Sequence, residues 1–414
     1  MKPSPRRTTF ALFVIILLLL PSCSGLPLPL PVFPTSQNPT QTATEPSLQP
    51  QPSFEAPPQD AILQWSDKLS ETYCKPSQSG RFSSLIYHAG AYYSVHGGDP
   101  RSVWRYLQTE TSGAKIAESS AEDGKFIEAL RVNDQWLVML IFDHPMHVQG
   151  WRVEVLNLET NSQERLIDNI EAKENIIYLD MELQGDMFYF LTHSVSGNDS
   201  KQISTIQAFN LAEGTRETLL GLESDLYYDQ FAVSEKYLMI SQSSSGKPQN
   251  QDFPILFYSF ETNQLEEVME ISGSYPLMDW PLAAWSEQGK NQVPEIIKIF
   301  DFESALSWPL VVQAEHPSNF DLSTKYLAWI DPTTPAKGFP AVYLMSLDDG
   351  HKITVSSENQ ERKPQFPQVR DDQLILGLVK DSSALDAGGM ICAIPLEDLE
   401  ALSQPISGSL PVMP

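Results

Sequence analysis

A phrase of about fourteen residues recurs along this 414-residue chain. It reads VEVLNLETNSQERL at 153–166, IQAFNLAEGTRETL at 206–219, LFYSFETNQLEEVM at 256–269 and VYLMSLDDGHKITV at 342–355. Each copy contains an apolar strand, a polar turn and a second, shorter strand. Because a recurring unit of this length indicates stacked or ringed modules, the phrase constrains the fold more than the composition does.

The spacing of the phrase is that of propeller blades. One apolar residue in each copy serves as an anchor, and consecutive anchors lie 51, 53, 49, 42, 45 and 49 residues apart. Blades of β-propellers repeat every 40 to 50 residues or so, about the spacing seen here. Seven copies therefore predict an all-β fold, a seven-bladed β-propeller over residues 61–414, with six or eight blades if a terminal copy is misread. The anchors are Leu107, Leu158, Leu211, Phe260, Phe302, Leu347 and Leu396.

Each copy has the same internal order of strands. A short apolar strand is followed by a tight polar turn, the most apolar strand, a variable loop, a third strand and the recurring turn into a fourth. The second strand reads WLVMLIF at 136–142, MFYFLTH at 187–193 and LILGLV at 374–379. A strand that is apolar on both faces suits a position between two neighbouring sheets. One four-stranded sheet cannot bury both of its faces, whereas a closed ring of sheets can.

The repeats resemble the WD40-like repeats of the TolB type. In those repeats an apolar strand leads to a Leu-Asp-like pair, a Gly turn and a Leu-Thr end, and the copy at 342–355 is the most similar to them. The resemblance covers roughly residues 81–414 and implies the propeller fold alone, since the short Pro-rich segment before it leaves no room for the α/β domain of TolB. Envelope lipoproteins of the BamB kind share the plan of a lipid and a propeller, but their Tyr-Ala-Leu-Asp blade pattern is absent here.

The N-terminus has the organisation of an export signal. A basic start precedes the apolar run Phe10–Leu20, which is shorter than the 20 or so residues that span a bilayer. The run ends in LPSC, which resembles the lipobox of bacterial lipoproteins. That resemblance implies a signal peptide over 1–22, cleavage before Cys23 and a diacylglycerol on its thiol. Pro21 departs from the lipobox pattern, so plain secretion and an uncleaved anchor remain alternatives.

Residues 23–60 are predicted to be a disordered tether. The segment 24–60 carries ten prolines between Ser, Thr and Gln and has no Lys or Arg, so it cannot bury enough surface to fold. The chain has a formal net charge of −26, which disfavours nucleic acid and anionic lipid headgroups as partners. We expect an exported monomer that is held at the outer face of a membrane through its N-terminal lipid only.

Two cysteines remain once Cys23 is assigned to the lipid. Cys74 lies just before the first blade, and Cys392 lies in the third strand of the last blade, so the two are neighbours only if the ring closes. In an exported protein such a pair predicts a disulfide. Two buried, unpaired thiols are the alternative.

In a propeller the loops between second and third strands gather at one rim, where ligands usually bind. The second strands end in SVHGGDP, IFDHPMH and LTHSVSGND in the first three blades, which predicts a rim of histidine and carboxylate side chains. We expect no cofactor, with a divalent metal held by His96, His144 and His193 as the alternative. Ordinary loop residues without a ligand are a further alternative. The rim candidates are His96, Asp99, Asp143, His144, His147, His193, Glu287, Asp331 and Asp381.

Sequence signatures of catalysis are missing from the chain. It contains no GxSxG, HExxH, GxxxxGK[ST], GxGxxG or paired CxxC motif. We therefore predict a surface-tethered propeller that binds an extracytoplasmic protein or small ligand on one rim, without catalysis. A metal-dependent hydrolase or lyase that uses the histidine rim, and an envelope-assembly scaffold of the BamB kind, are the alternatives.

Overall fold

A computed structural model describes most of the chain after the predicted tether. The described residues are 60–77, 82–96, 98–110, 112–119, 126–144, 147–168, 176–195, 202–244, 253–266, 272–288, 294–311, 318–331, 341–357, 362–380 and 389–405. The predicted signal peptide and, except for Asp60, the predicted tether lie outside them. In the described part of the chain, no helix is both long enough and apolar enough to cross a membrane.

The described chain begins with three short elements that precede the first blade. They are β1 (Ala61–Trp65), α1 (Asp67–Tyr73) and β2 (Cys74–Pro76). Ser66 caps α1, because its hydroxyl accepts a hydrogen bond from the backbone N–H of Leu69 at 3.3 Å.

Blades 1 to 3 are four-stranded antiparallel sheets in which the strands follow one another in chain order. Blade 1 contains β3 (Phe82–His88), β4 (Ala91–His96), β5 (Asp99–Leu107) and β6 (Ala114–Glu118). Blade 2 contains β7 (Phe126–Val132), β8 (Trp136–His144), β9 (His147–Asn157) and β10 (Ser162–Asp168). Blade 3 contains β11 (Ile176–Gln184), β12 (Met187–Val195), β13 (Gln202–Asn210) and β14 (Thr215–Ser224).

Blades 4 to 7 repeat this plan, with additions at the last two. Blade 4 contains β15 (Leu226–Val233), β16 (Tyr237–Ser244), β17 (Ile255–Ser259) and β18 (Gln264–Glu266). Blade 5 contains β19 (Ser274–Asp279), β20 (Leu282–Gln288), β21 (Pro294–Asp301) and β22 (Leu306–Val311). Blade 6 contains β23 (Ser318–Leu322), β24 (Tyr326–Asp331), β25 (Ala341–Ser346) and β26 (Lys352–Ser357). Blade 7 contains β27 (Arg362–Arg370), β28 (Gln373–Lys380) and β29 (Met390–Pro395), and the chain continues into α2 (Leu396–Leu402) and β30 (Gln404–Pro405).

The seven sheets form one ring, which confirms the predicted seven-bladed propeller. The first strand of each blade contacts the first strand of the next, and β27 contacts β3 to complete the circle. The first strands are therefore innermost and surround the central channel. The second strands lie between neighbouring sheets: in β8, Leu137, Val138 and Met139 are fully buried although their side chains alternate between the two faces.

The recurring phrase has a structural reason. Its anchor residue follows the third strand, and its backbone N–H donates to the turn between the first two strands of the same blade. Leu211 donates to the Asp186 carbonyl at 2.9 Å, and Leu347 donates to the Lys325 carbonyl at 2.8 Å. Leu158, Phe260, Phe302 and Leu396 make the same hydrogen bond in their blades.

The N-terminal elements close the ring. The outermost strand of blade 7 is β2, which pairs antiparallel with β29, and Cys74 faces Cys392 across this pair. A disulfide joins the two residues. The ammonium of Lys75 also bonds to the backbone carbonyls of Leu107, Gln108 and Glu110 in blade 1. The sequence order predicted a fourth strand after the third in every copy, but in blade 7 that strand comes from the other end of the chain.

The sheet of blade 6 has six strands instead of four. The strand β1 pairs in parallel with β26 along all five of its residues, and β30 pairs antiparallel with the far edge of β1. Asp60, where the predicted tether meets the described chain, therefore lies at the outer edge of blade 6 and away from the central channel.

Candidate functional site at the channel mouth

The structure describes only part of the predicted rim. Asp381 lies outside the described residues, and the side chains of Asp143, His144, His147 and Asp331 also lie outside the described part, although their backbones belong to strands. The described rim candidates are His96, Asp99, His193 and Glu287.

His96 is a core residue of blade 1. Its side chain is buried, and its Nε2 atom lies 3.0 Å from both the Ser94 and the Tyr106 hydroxyl oxygens. Burial lowers the pKa of His96 to about 4, against the opposing effect of Asp99. The imidazole is therefore neutral at physiological pH and faces aromatic neighbours rather than the rim. This placement departs from the sequence expectation, because the end of β4 is packed against the strands beside it.

His193 lies at the junction of blades 3 and 4. Its Nε2 atom contacts the Gln202 amide oxygen, and its ring centroid lies 4.0 Å from that of Tyr227. Burial raises the pKa of Asp229, and the electrostatic interaction with His193 opposes this rise. The structure thus groups His193 with Tyr227 and Asp229, whereas His96 packs within its own blade.

The remaining described candidates do not form a metal-ligand cluster with these histidines. Among the residues that the structure describes, no group of three or more His, Cys, Asp or Glu side chains is placed to hold a metal ion. The Glu287 carboxylate lies 3.8 Å from the ammonium of Lys298 on the adjacent strand. The metal alternative therefore stays a prediction that depends on side chains outside the described part.

Every innermost strand contains one extra residue, at a similar height in six of the seven blades. In blade 5, Ser274 pairs with Ser286 and Leu277 pairs with Ala284, so that two residues face Trp285. Corresponding register shifts occur in the other six first strands. Such β-bulges bend a strand and change the direction of its side chains. The bulge residues are Ser83, Glu128, Ile177, Asp229, Tyr275, Asn319 and Phe366.

The bulges lie toward the end of the channel where the sequence placed the ligand rim. In five blades the bulge is the second or third residue of the first strand; in blade 1, Phe82 pairs with His96 at the end of the second strand. Asp229 and Phe366 lie farther along β15 and β27. We call the ring of seven bulge residues the channel mouth. Innermost strands are surrounded by other strands, yet Ser83, Glu128, Tyr275 and Asn319 are exposed there, and Asp229 and Phe366 are half-buried.

Three consecutive bulges hold a strained backbone. Tyr275, Asn319 and Phe366 have φ angles of 54°, 53° and 52° in blades 5, 6 and 7. Asn tolerates this left-handed region, but bulky residues rarely enter it, at a cost on the order of 1 kcal/mol or more each. Glycine, which has no Cβ, would relieve this strain.

The channel mouth combines two kinds of side chain. Blades 5 and 6 contribute the aromatic ring of Tyr275 and the amide of Asn319, whereas blades 2 and 4 contribute the carboxyl groups of Glu128 and Asp229. The ring of Phe366 in blade 7 packs against the apolar core between blades 7 and 1. Aromatic rings offer apolar contact area, and the polar groups set orientation. The sequence analysis missed this ring because its members share no residue type. Their common signal is position, since six of the seven lie seven or eight residues before the second strand begins.

Next to the channel mouth, side-chain carboxylates accept hydrogen bonds from the backbone of the neighbouring first strand. Asp180 accepts a hydrogen bond from the Phe231 backbone N–H at 3.3 Å, and Asp321 accepts one from Val369 at 2.8 Å. The pKa of Asp180 is raised to about 7, chiefly by burial and also by the nearby Glu182, while Arg131 and the backbone hydrogen bonds oppose the rise. These hydrogen bonds join neighbouring first strands along the channel wall.

Comparisons with known proteins show only distant similarity. No protein-family model and no curated protein sequence matches the chain. Among solved structures, TolB from Acinetobacter baumannii is similar at 12% identity and a TM-score of 0.40, over 75% of this chain and 78% of that one. An oligogalacturonate lyase from Vibrio parahaemolyticus is similar at 9% identity and a TM-score of 0.49, over 78% of this chain and 90% of that one. An oligogalacturonate lyase in complex with manganese gives 11% identity and a TM-score of 0.49, over 75% and 86% of the two chains. At these values the similarities assign neither a family nor an activity, and the fold rests on the strand pairing described above.

Proposed function

We propose that this protein is a lipid-anchored, exported propeller that binds an extracytoplasmic protein or ligand at its channel mouth and does not catalyse a reaction. The observation that carries the proposal is the ring of bulges. It displays chemically different side chains toward one end of the channel, on the innermost strands of the fold.

Tyr275 is the central residue of this proposal. Half of its surface is exposed although it lies on an innermost strand, and its backbone is strained. Tyrosine supplies a large contact area at a low cost in conformational entropy, which is why it is enriched at binding interfaces. A side chain on a rigid strand is also preorganised, so little entropy is lost when a partner binds.

The proposed address rests on the N-terminal sequence. The basic start, the apolar run and the LPSC motif support lipidation of Cys23, and the Pro-rich segment supports a tether. Asp60 joins the propeller at the outer edge of blade 6.

Site-specific photo-crosslinking in the native host tests the proposal. A benzophenone amino acid is placed at Tyr275, and a second variant carries it at Leu265, an exposed residue on the outermost strand of blade 4. We expect a discrete adduct from position 275 and none from position 265. Tyr275→Ala should weaken binding of the captured partner at least tenfold, and Leu265→Ala should leave it unchanged. Equal adducts from both positions, or binding that is indifferent to Tyr275→Ala, would refute the proposal.

The metal-dependent hydrolase or lyase is the second candidate. It is favoured by one contact, the grouping of His193 with Tyr227 and Asp229 at the mouth end of the channel. Elemental analysis of the purified protein and of a His144→Ala/His193→Ala variant decides the matter. One equivalent of metal that the variant loses would support this candidate over pure binding.

A further inference from the structure

The innermost strands carry their charges unevenly around the channel. The first strands of blades 3 to 6, which are β11, β15, β19 and β23, contain carboxylates but no Lys, Arg or His. These carboxylates are those of Asp180, Glu182, Asp229, Asp279 and Asp321. The basic residues of the seven first strands belong to blades 1, 2 and 7. A passage bordered by charges of one sign focuses their electrostatic potential and attracts ligands of the opposite sign.

Arginines of neighbouring blades neutralise two of these carboxylates. Arg131 of β7 donates hydrogen bonds to the two Glu182 oxygens at 2.9 and 3.0 Å. Arg370 of β27 donates to the two Asp321 oxygens at 2.7 and 2.9 Å. Both pairs lie toward the ends of their strands, away from the channel mouth. By contrast, neither β15 nor the first strands on its two sides contain a basic residue.

Asp229 of β15 is the carboxylate of this group that lies at the channel mouth. It is half-buried, and within the described part of the chain its oxygens accept no hydrogen bond. Burial raises its pKa, and the nearby His193 opposes that rise without cancelling it. A cation that binds beside Asp229 would therefore stabilise a charged carboxylate for which the protein supplies little compensation.

Tyr275 occupies the corresponding position in the next blade. Both residues are bulges of first strands, and the two strands, β15 and β19, contact each other. Half of the Tyr275 surface is exposed. The face of an aromatic ring attracts ammonium and guanidinium groups, and a carboxylate pairs with the same groups. The two side chains together offer the chemistry that recognises an arginine or lysine side chain.

Glu128 extends the acidic surface of the mouth to blade 2. Its side chain is exposed, and it is the bulge residue of β7. Blade 3 separates it from Asp229, and among the described residues no three His, Cys, Asp or Glu side chains are placed to hold a metal ion. Carboxylates spread over several blades suit a segment with several cationic groups better than a single metal ion. Lys363 lies in blade 7, so such a segment would run over blades 2 to 5.

We propose that the channel mouth binds a basic segment of an extracytoplasmic protein, with one arginine or lysine side chain at Tyr275 and Asp229 and a second at Glu128. This inference rests on the proposed function and specifies its partner. The cationic group stacks on the ring of Tyr275 and pairs with the Asp229 carboxylate, so a neutral or acidic segment is not accepted.

Defined peptides test the proposal on the full-length protein. The probe is fluorescent Gly-Arg-Gly-Arg-Gly-Arg with blocked ends, and its control carries citrulline in place of each arginine, which removes the charge and keeps the shape. We expect saturable binding of the arginine peptide that weakens as salt is added, and at least tenfold weaker binding of the citrulline peptide. Spermidine that binds as tightly as the peptide and depends equally on Asp229 would overturn the proposal, because a free polyamine would then be the occupant.

Protein variants assign the site. Asp229→Asn should weaken the arginine peptide at least fivefold. Asp348→Asn removes the same charge from an exposed aspartate in the turn between β25 and β26, at the other end of the propeller, and should alter binding less than twofold. Tyr275→Phe should preserve binding and Tyr275→Leu should weaken it about threefold, because only the former keeps the aromatic face. Equal losses from the two aspartate variants would overturn the proposal, since the peptide would then follow net charge alone.

Crosslinking from position 275 separates this inference from the function on which it rests. A discrete adduct there, together with an arginine peptide that does not bind at millimolar concentration, would overturn the basic segment and leave the proposed function standing. Absence of the adduct would overturn the proposed function and this inference with it.

Discussion

Removal of the disulfide between Cys74 and Cys392 should show how much the closed ring depends on its N-terminal strand. The change is the double substitution Cys74→Ala and Cys392→Ala. Alanine avoids a new hydroxyl at position 392, which is fully buried. The double substitution leaves β2 in blade 7 with its short pairing to β29, the contacts of Lys75 and the packing of its neighbours against the blade core.

The expected magnitude follows from the length of chain that the disulfide closes. The two cysteines are 318 residues apart, and closure of a loop of that length corresponds to about 6 kcal/mol in the chain-entropy treatment, although measured effects rarely exceed about 5 kcal/mol. We therefore expect the free energy of unfolding to fall by about 3 to 5 kcal/mol. That loss is a large part of the roughly 5 to 15 kcal/mol available to a typical domain.

Equilibrium urea unfolding, followed by tryptophan fluorescence, measures the change. A Cys23→Ala background leaves two cysteines, so thiol titration reports the disulfide alone. Lys75→Met is the matched control, because it removes the hydrogen bonds that join β2 to the backbone of blade 1 and leaves the disulfide intact. It should lower the free energy of unfolding by about 1 to 2 kcal/mol. Two reactive thiols in the native protein, or a double variant within about 1 kcal/mol of the parent, would refute the closure argument.

Three further predictions concern Asp180 in the channel wall, Tyr275 at the channel mouth and the lipid on Cys23. Because burial raises the folded-state pKa of Asp180 from 3.8 to about 7, its contribution to stability is fully present below about pH 4 and is lost as the pH rises through 7. Asp180→Asn should therefore flatten this dependence and stabilise the protein at pH 8 by about 2 to 4 kcal/mol in urea unfolding; an unchanged slope would contradict it. Tyr275→Gly should relieve the left-handed backbone and raise stability by up to about 1 kcal/mol in thermal unfolding while abolishing the position-275 partner interaction, whereas a loss of stability would show that the ring is structural. Cys23→Ala should release the protein from the membrane fraction and abolish labelling by radioactive palmitate, and retention of the label would disprove lipidation at that residue.

The blade repeat was readable in the sequence because each blade is held together by contacts between neighbouring segments. The turns at 184–186 and 323–325, the apolar second strands and the anchors such as Leu211 all lie within about 50 residues of their partners. Antiparallel hairpins of this kind leave a local pattern of apolar strands and polar turns.

The candidate site was less readable, for two physical reasons. His96 ends an apolar strand much as His144 and His193 do, and only the packing of Phe82, Trp104 and Tyr106 around it shows that it is a core residue. The bulge ring escapes a sequence reading because one extra residue in a strand can be recognised only against the register of its partner.

The sequence alone predicted the number of blades, the order of strands within them and the pairing of two distant cysteines. These follow from local hydrophobic pattern and from residue chemistry. The tertiary structure decided which strand closes blade 7, which strand extends blade 6 and which side chains stand at the channel mouth. Those features depend on contacts between segments far apart in the chain, such as Cys74 with Cys392 and Ala61 with Ile353. Each of these pairings joins the N-terminal segment to a strand near the other end of the chain, so no local pattern in the sequence records it.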